Sequence, residues 1–239
     1  MFIVNTPVYK RIVVLANSIK RSHWCVAGKE IVEHNGRWMP GLWVRPTDPA
    51  NEGAITREMM RCDNGRIPQT FDVVDVPIAK CATDPHHPED WIVDASRPWK
   101  YCGIFPAREA DALVDTPPQL WGSRTDPRKL AEGYIAKMIR PASLYFIKPA
   151  GDFRIALFKE EARPRKRLHL RYHDVEHEFD ITDPSFEDHY LQGLRLRPGQ
   201  DFEFTLQQDG RLYLCLSLTP PFHGAHYKIA ATIWEKPPA

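Results

Sequence analysis

The apolar residues of this chain come in short runs, rich in β-branched and aromatic side chains, and turn residues close off nearly every run. In the first third the runs fall at residues 12–15, 25–27, 42–44 and 71–76, the last with the period of two that a half-buried strand shows. Asn35-Gly36, Asp48-Pro49 and Asp63-Asn64-Gly65 supply turns between them. From residue 143 the pattern resumes, with runs at 144–147, 153–158, 168–172, 175–181, 202–206, 212–218 and 227–234. Hairpin chemistry separates them at Ala150-Gly151-Asp152, His173-Asp174 and Gln208-Asp209-Gly210. Parallel strands need crossovers of a dozen or more residues, usually helical. Such crossovers are missing here, so the pattern predicts a mainly β protein made of small barrels or sandwiches.

The stretch from 85 to 140 differs. Pro106 and Pro127 stand where first-turn helical prolines stand, and Asp126 is placed to cap. Leu130, Tyr134 and Met138 recur every four residues, and Ile135 and Ile139 widen the stripe. This predicts an amphipathic helix within a partly helical connecting region. The expected organisation is a first β domain over 1–84, a connecting region over 85–140 and a second β domain over 141–239. No internal repeat of the solenoid kind is visible.

Charge narrows the function. Lys and Arg number 32 against 31 Asp and Glu, a formal net charge of +1. No bulk field holds a polyanion or an anionic membrane, so any nucleic-acid site must be local. The first apolar run follows Lys10 and Arg11, which fits no signal peptide, and no window reaches the roughly 18 apolar residues of a spanning helix. The expectation is a soluble protein without a membrane partner. Five scattered cysteines, an odd number with no C-x-x-C pair, suit a reducing cytoplasm. Twenty-two prolines and seven tryptophans point to stiff turns between aromatic-bearing segments.

Catalytic signatures are lacking: the chain has no G-x-S-x-G elbow, no G-x-x-x-x-G-K and no G-x-G-x-x-G. His169, His173 and His177 are four apart, which on a helix would align three metal ligands. However, Leu168, Leu170 and Tyr172 alternate with His169, Arg171 and His173. The segment therefore reads as a strand with solvated histidines on its polar face and His177 beyond a turn. His86-His87 with Cys81 lacks a second ligand pair, and Pro85 and Pro88 mark a loop. No metal and no cofactor is expected. Glu160-Glu161 ahead of Lys166 has the residue types of a metal-dependent nuclease, in which carboxylates hold Mg²⁺ and a lysine orients water. The simpler reading is a solvated charge run.

Binding signals are stronger. Arg163-Pro164-Arg165-Lys166-Arg167 with Arg171 gathers positive charge beside a hairpin, within reach of phosphates. Lys20-Arg21-Ser22-His23-Trp24 mixes cations with an imidazole and an indole, a combination that holds phosphates while stacking a base. Trp38, Trp43 and Arg45 follow, with Arg45 held extended by Pro46.

Leu15-Ala16-Asn17-Ser18-Ile19-Lys20, then Cys25-Val26-Ala27-Gly28 and Trp43-Val44-Arg45-Pro46, resemble the start of the dual OB-containing domain family of prokaryotes. Asp72-Val73-Val74-Asp75-Val76-Pro77, His87-Pro88-Glu89-Asp90-Trp91, Ser217-Leu218-Thr219-Pro220-Pro221-Phe222 and Tyr227-Lys228-Ile229-Ala230-Ala231 extend the likeness over nearly the whole chain in order. One departure is Ile229-Ala230, where the family pattern has Leu-Val after the lysine. The resemblance implies two OB-like barrels, a role in recognising nucleic acid or a nucleotide, and a setting in bacterial defence or mobile elements.

An OB barrel binds over its second and third strands and the flanking loops. In the first unit that face would run near residues 25–31 and 42–45, beside a loop from Asn17 to Trp24. Asn17, Ser18, Lys20, Arg21 and Arg45 are then candidate phosphate or base contacts, with Trp24 and Trp43 as stacking partners. In the second unit Arg165, Lys166 and Arg167, and His223, His226, Tyr227 and Lys228, are candidates. The sequence thus favours a non-catalytic binding module. A nuclease or nucleotide-processing enzyme using Glu160, Glu161 and Lys166 is the alternative, and a protein-interaction adaptor a third reading.

Overall fold

A computed structural model describes residues 8–20, 23–35, 37–122, 126–160, 163–191 and 201–238. The chain divides into two compact units, Met1–Asp84 with Pro88–Leu113, and Pro85–His87 with Val114–Ala239.

The first unit holds β1 (Val8–Lys20), β2 (His23–His34), β3 (Arg37–Thr47), β4 (Asp72–Cys81), β5 (Asp90–Val93) and β6 (Lys100–Ile104). The strands run in the order β1-β2-β3-β5-β4, and pairing of β4 with β1 closes a five-stranded barrel, with β6 added on β4. Every pairing is antiparallel except β3 with β5, where Arg45, Pro46 and Thr47 face Asp90, Trp91 and Ile92. Ile12, Val14, Val26, Val44, Val74 and Val76 point inward and pack with Ile55, Met60 and Trp99. Closure leaves no free barrel edge, which is how small β proteins avoid edge-to-edge pairing.

At the parallel seam Arg45 Nε donates to Asp90 Oδ1 at 2.6 Å, with side chains only 13% and 10% exposed. Burial pushes the Asp90 carboxyl above its ordinary range, and the Arg45 charge and hydrogen bond offset this only in part. Removing one partner of a buried pair strands the other charge. Asp90→Ala is therefore expected to destabilise the first unit by about 3 kcal/mol, measured by urea denaturation. A loss under about 0.5 kcal/mol, the size typical of unremarkable surface changes, would show the pair to be solvated.

The second unit holds β7 (Lys129–Ala131), β8 (Leu144–Ile147), β9 (Phe153–Glu160), β10 (Arg163–Tyr172), β11 (Val175–Ile181), the short helix α1 (Phe186–Tyr190), β12 (Phe202–Leu206), β13 (Leu212–Leu218) and β14 (Ala225–Glu235). Its path β9-β10-β11-β14-β13 repeats β1-β2-β3-β5-β4, again with one parallel contact, β11 against β14. β8 lies on β13 as β6 lies on β4. β12 pairs with β9, and among the described residues no pairing of β9 with β13 closes the ring. Trp121, Phe153, Phe179, Phe186 and Leu214 lie in its core. The two units are thus a structural repeat that the sequence does not display.

The segment from 85 to 140 supplies β5, β6 and a 3₁₀ turn (Ala107–Leu113) to the first unit, the turn following Pro106 as expected. The amphipathic helix expected after Asp126 does not form. Asp126 Oδ1 accepts from the amides of Arg128 and Lys129, but the chain then enters β7 and pairs with Ala225, His226 and Tyr227 of β14. Gly133, at φ +80°, breaks any helical continuation, and only a 3₁₀ turn (Ile135–Lys137) follows. Leu130 and Ile135 still enter the core, whereas Ile139 is fully exposed. No helix among the described residues is long and apolar enough to cross a membrane.

Candidate functional site

In the first unit most expected contacts serve the barrel itself. The loop expected from Asn17 to Trp24 is largely strand, since β1 runs to Lys20 and β2 begins at His23. Asn17 and Ser18 are buried, and Asn17 Nδ2 donates to Pro68 O at 3.1 Å. Arg21 lies outside the described residues, and for Lys20 only the strand backbone is described. Trp24 exchanges backbone hydrogen bonds with Ile55 and packs on the core. Arg45 is held by Asp90. Trp43 lies opposite Lys29 across β2 and β3, with Lys29 Nζ 5.5 Å from its ring centre. Lys29 is itself buried, and its Nζ donates to Leu113 O at 2.7 Å, at the end of the 3₁₀ turn. The unit's own chain therefore closes over the middle of its β2–β3 face.

In the second unit the equivalent strands carry a cleft of about 500 Å³. Arg154, His169, Arg171, Glu176, His177 and Glu178 line it, together with Asp152 and Pro127. The register explains the convergence. His169 lies opposite Arg154 on one side and Glu178 on the other, and Arg171 lies opposite Glu176. Leu168 and Leu170 point inward, so the polar partners share the outer face. The His173-Asp174 turn joins β10 to β11, with His173 at φ +51°.

Charges on this face are mutually compensated. Arg154 meets Glu203 at 2.7 Å, Arg171 meets Glu176 at 2.7 Å, and Arg167 meets Asp180 at 3.1 Å. Lys166 lies off this face, in the phase of Leu168 and Leu170, and meets Glu187 at 2.7 Å, while Arg165 is half-buried on the same strand. Burial, then the charge of Arg154, lowers the pKa of His169 and favours its neutral ring. Of the carboxylates in the nuclease reading, Glu161 lies outside the described residues and only the backbone of Glu160 is described.

Two expectations are corrected by burial. His177, expected in solvent, is 2% exposed, because it shares the inward phase of Phe179 and Ile181. Lys228, expected at the surface, is 0% exposed. Its Nζ donates to Pro127 O and to His177 Nδ1, both at 2.9 Å. Burial pulls Lys228 down to about 8, against the opposing pull of Asp126 and Glu178. Burial, then the Lys228 charge, drives His177 down to about 3. His226 is also buried, with Nδ1–H donating to Thr219 O at 2.8 Å. Tyr227 is half-buried beneath the Arg128 guanidinium, and His223 is exposed in a turn.

A closed β1-β2-β3-β5-β4 barrel, and a second unit on the same strand path with a cleft beside its second and third strands, define an OB-type binding module. The chain belongs to the dual OB-containing domain family, whose model matches residues 10–233. No curated protein and no solved structure matches it.

Proposed function

We propose that the protein is a non-catalytic module that binds single-stranded nucleic acid or a nucleotide, through the β9–β10–β11 face of the second unit. The observation that carries this reading is the cleft of about 500 Å³ on the strands that OB barrels use for ligands. It favours this face over the first unit's β2–β3 face, whose centre Lys29 and Leu113 occupy. The scattered cysteines and the family support a reducing cytoplasm and a prokaryotic defence or mobile-element setting.

Paired cations set the character of the binding. A phosphate must displace a carboxylate from Arg154 or Arg171, so few counterions are released and the bases carry most of the recognition. Affinity for a fluorescent single-stranded oligonucleotide is expected to fall by less than about tenfold between 50 and 200 mM salt, as for roughly two phosphate contacts. Arg154→Ala with Arg171→Ala is expected to weaken binding about fivefold or more, as for the loss of two phosphate contacts. Absence of binding at low salt to both DNA and RNA strands would sink the strand-binding part of the proposal. Unchanged affinity in the double variant would move the site elsewhere, and Mg²⁺-dependent cleavage would favour the enzyme reading.

A further inference from the structure

A cleft that held ligands by their phosphates would be lined by spare cations, and this one is not. Arg154 and Arg171 line it together with three carboxylates, those of Asp152, Glu176 and Glu178. Both arginines are engaged, with Glu203 and Glu176 respectively, each at 2.7 Å. Asp152 Oδ1 accepts from the backbone amide of Gln208 at 2.7 Å. Glu178 differs from these. It stands in the outward phase of β11, between the buried His177 and Phe179, and lies opposite His169 on the cleft face. Its side chain is 28% exposed, and its carboxylate meets Arg167 Nη1 at 3.6 Å and His169 Nδ1 at 3.7 Å. Both separations are longer than a hydrogen bond. Among the described residues no side chain or amide donates a hydrogen bond to this carboxylate, so the cleft holds an acceptor group with both oxygens open to a ligand. The His169 ring lines the cleft beside it, with burial favouring the neutral form.

We propose that the cleft selects guanine, with Glu178 as the specificity-determining residue that accepts from N1–H and N2–H₂ of the base and His169 as the ring on which the base stacks. The inference rests on the OB-type binding reading above and names the base that the site prefers. A volume of about 500 Å³ suits a nucleoside-sized ligand. Guanine is the one common base with two donors side by side on a single edge, which matches the two oxygens of one carboxylate. Adenine and cytosine each present an amino group next to a ring-nitrogen acceptor, and uracil presents one N–H between two carbonyls. In all three, an acceptor of the base would lie against a carboxylate oxygen. Stacking on an imidazole is open to every base, so it supplies affinity without selectivity.

The test uses the full chain and the phosphate-free nucleosides guanosine, inosine, adenosine, cytidine and uridine, titrated by calorimetry and as competitors of a fluorescent single-stranded oligonucleotide of mixed sequence. Guanosine is expected to bind at least about fivefold more tightly than each of the others, inosine included, since inosine lacks the N2 amino group. Glu178→Gln replaces one acceptor with a donor at a partly exposed position. It is expected to lose the guanosine preference and to favour adenosine, the base that a glutamine pairs with through two hydrogen bonds. His169→Ala is expected to weaken all five about fivefold or more and to leave their ranking intact. Equal affinity for guanosine and inosine overturns the proposal without reference to any variant, and so does a guanosine preference that survives Glu178→Gln. A guanidinium also presents paired donors, so N-acetylarginine amide is titrated alongside; binding of that compound and not of guanosine overturns the proposal in favour of a peptide ligand. Oligonucleotide binding with no preference among the nucleosides overturns this inference and leaves strand binding intact. Guanosine selectivity in a protein that binds no oligonucleotide keeps the inference and removes strand binding. No response to any nucleoside or oligonucleotide overturns both.

Discussion

Alanine at position 28 is expected to destabilise the first unit by at least about 3 kcal/mol, the range of severe overpacking. A Cβ on Gly28 would fall 2.1 Å from Val13 O and 2.9 Å from Val13 C, both backbone atoms of the neighbouring strand, and 3.2 Å from Ile12 Cδ1. A side chain could rotate away from such a contact, but a paired backbone cannot. β1 is held on its other side by β4, through Ile12 opposite Val74 and Val13 opposite Val73, so moving β1 off β2 strains the barrel closure. The pairing of β1 with β2 already shifts register between Val14 and Ala16, next to this approach. Gly151→Ala is the matched control. Nothing lies within 4 Å of its added Cβ, so a change within about 0.5 kcal/mol is expected. Urea denaturation followed by circular dichroism compares them. A Gly28→Ala protein as stable as the control would mean that β1 and β2 separate at little cost.

Gly28 also shows how the family likeness and the physics meet. Cys25-Val26-Ala27-Gly28 carries part of the resemblance, and the close approach gives one reason why a strand interior holds a residue that otherwise weakens strands. Most of the second unit was legible from alternation and turn residues. The runs at 144–147, 175–181, 202–206 and 212–218 coincide with β8, β11, β12 and β13. Strands of the first unit extend well beyond their apolar runs. In β1, Asn17, Ser18 and Lys20 look like loop residues by composition, yet ladder pairing with Val26, Cys25 and His23 keeps them extended. β5 and β6 are four and five residues long, so Trp91, Ile92 and Val93 or Tyr101 and Ile104 make no sustained alternation within a segment that reads as partly helical, and pairing with β4 decides them. The Leu130-to-Ile139 stripe misled for the converse reason: a helical period was present, but Gly133 and the β14 edge outweighed it.

Much less of the site was legible. Polar residue types drew attention to Asn17, Ser18, Arg45 and Lys228, all of which are buried or paired within the fold. One usable signal was present. His177 alternates in phase with Phe179 and Ile181, and Lys228 with His226 and Ala230, which places both on inward faces. Their meeting depends on the parallel contact between β11 and β14, which joins strands about fifty residues apart and has no local trace in the sequence.

That buried pair gives the second large prediction, a pH dependence of stability with two separate windows. His177 sits at about 3 in the folded chain against 6.5 ordinarily, through burial and then the charge of Lys228. Between those values the unfolded chain binds the extra proton, so stability is fully present above pH 6.5 and is lost as pH falls toward 3. The loss from this group is on the order of 4 kcal/mol. Lys228 sits at about 8 against 10.5, so the unfolded chain again holds more protons between those values. Its contribution makes stability rise, by roughly 3 kcal/mol, as pH climbs from 8 to 10.5. Lys228→Met removes the second window outright. It also relieves the charge next to His177, so that pKa moves back toward its ordinary value and the acid window narrows. Urea denaturation across pH, with the His177 titration followed by NMR, compares wild type with the variant. Identical slopes above pH 8 in the two proteins would show that Lys228 is not buried as an ammonium. An unshifted His177 in the variant would show that burial alone, without the neighbouring charge, keeps the ring neutral, leaving the hydrogen bond from Lys228 to set its tautomer.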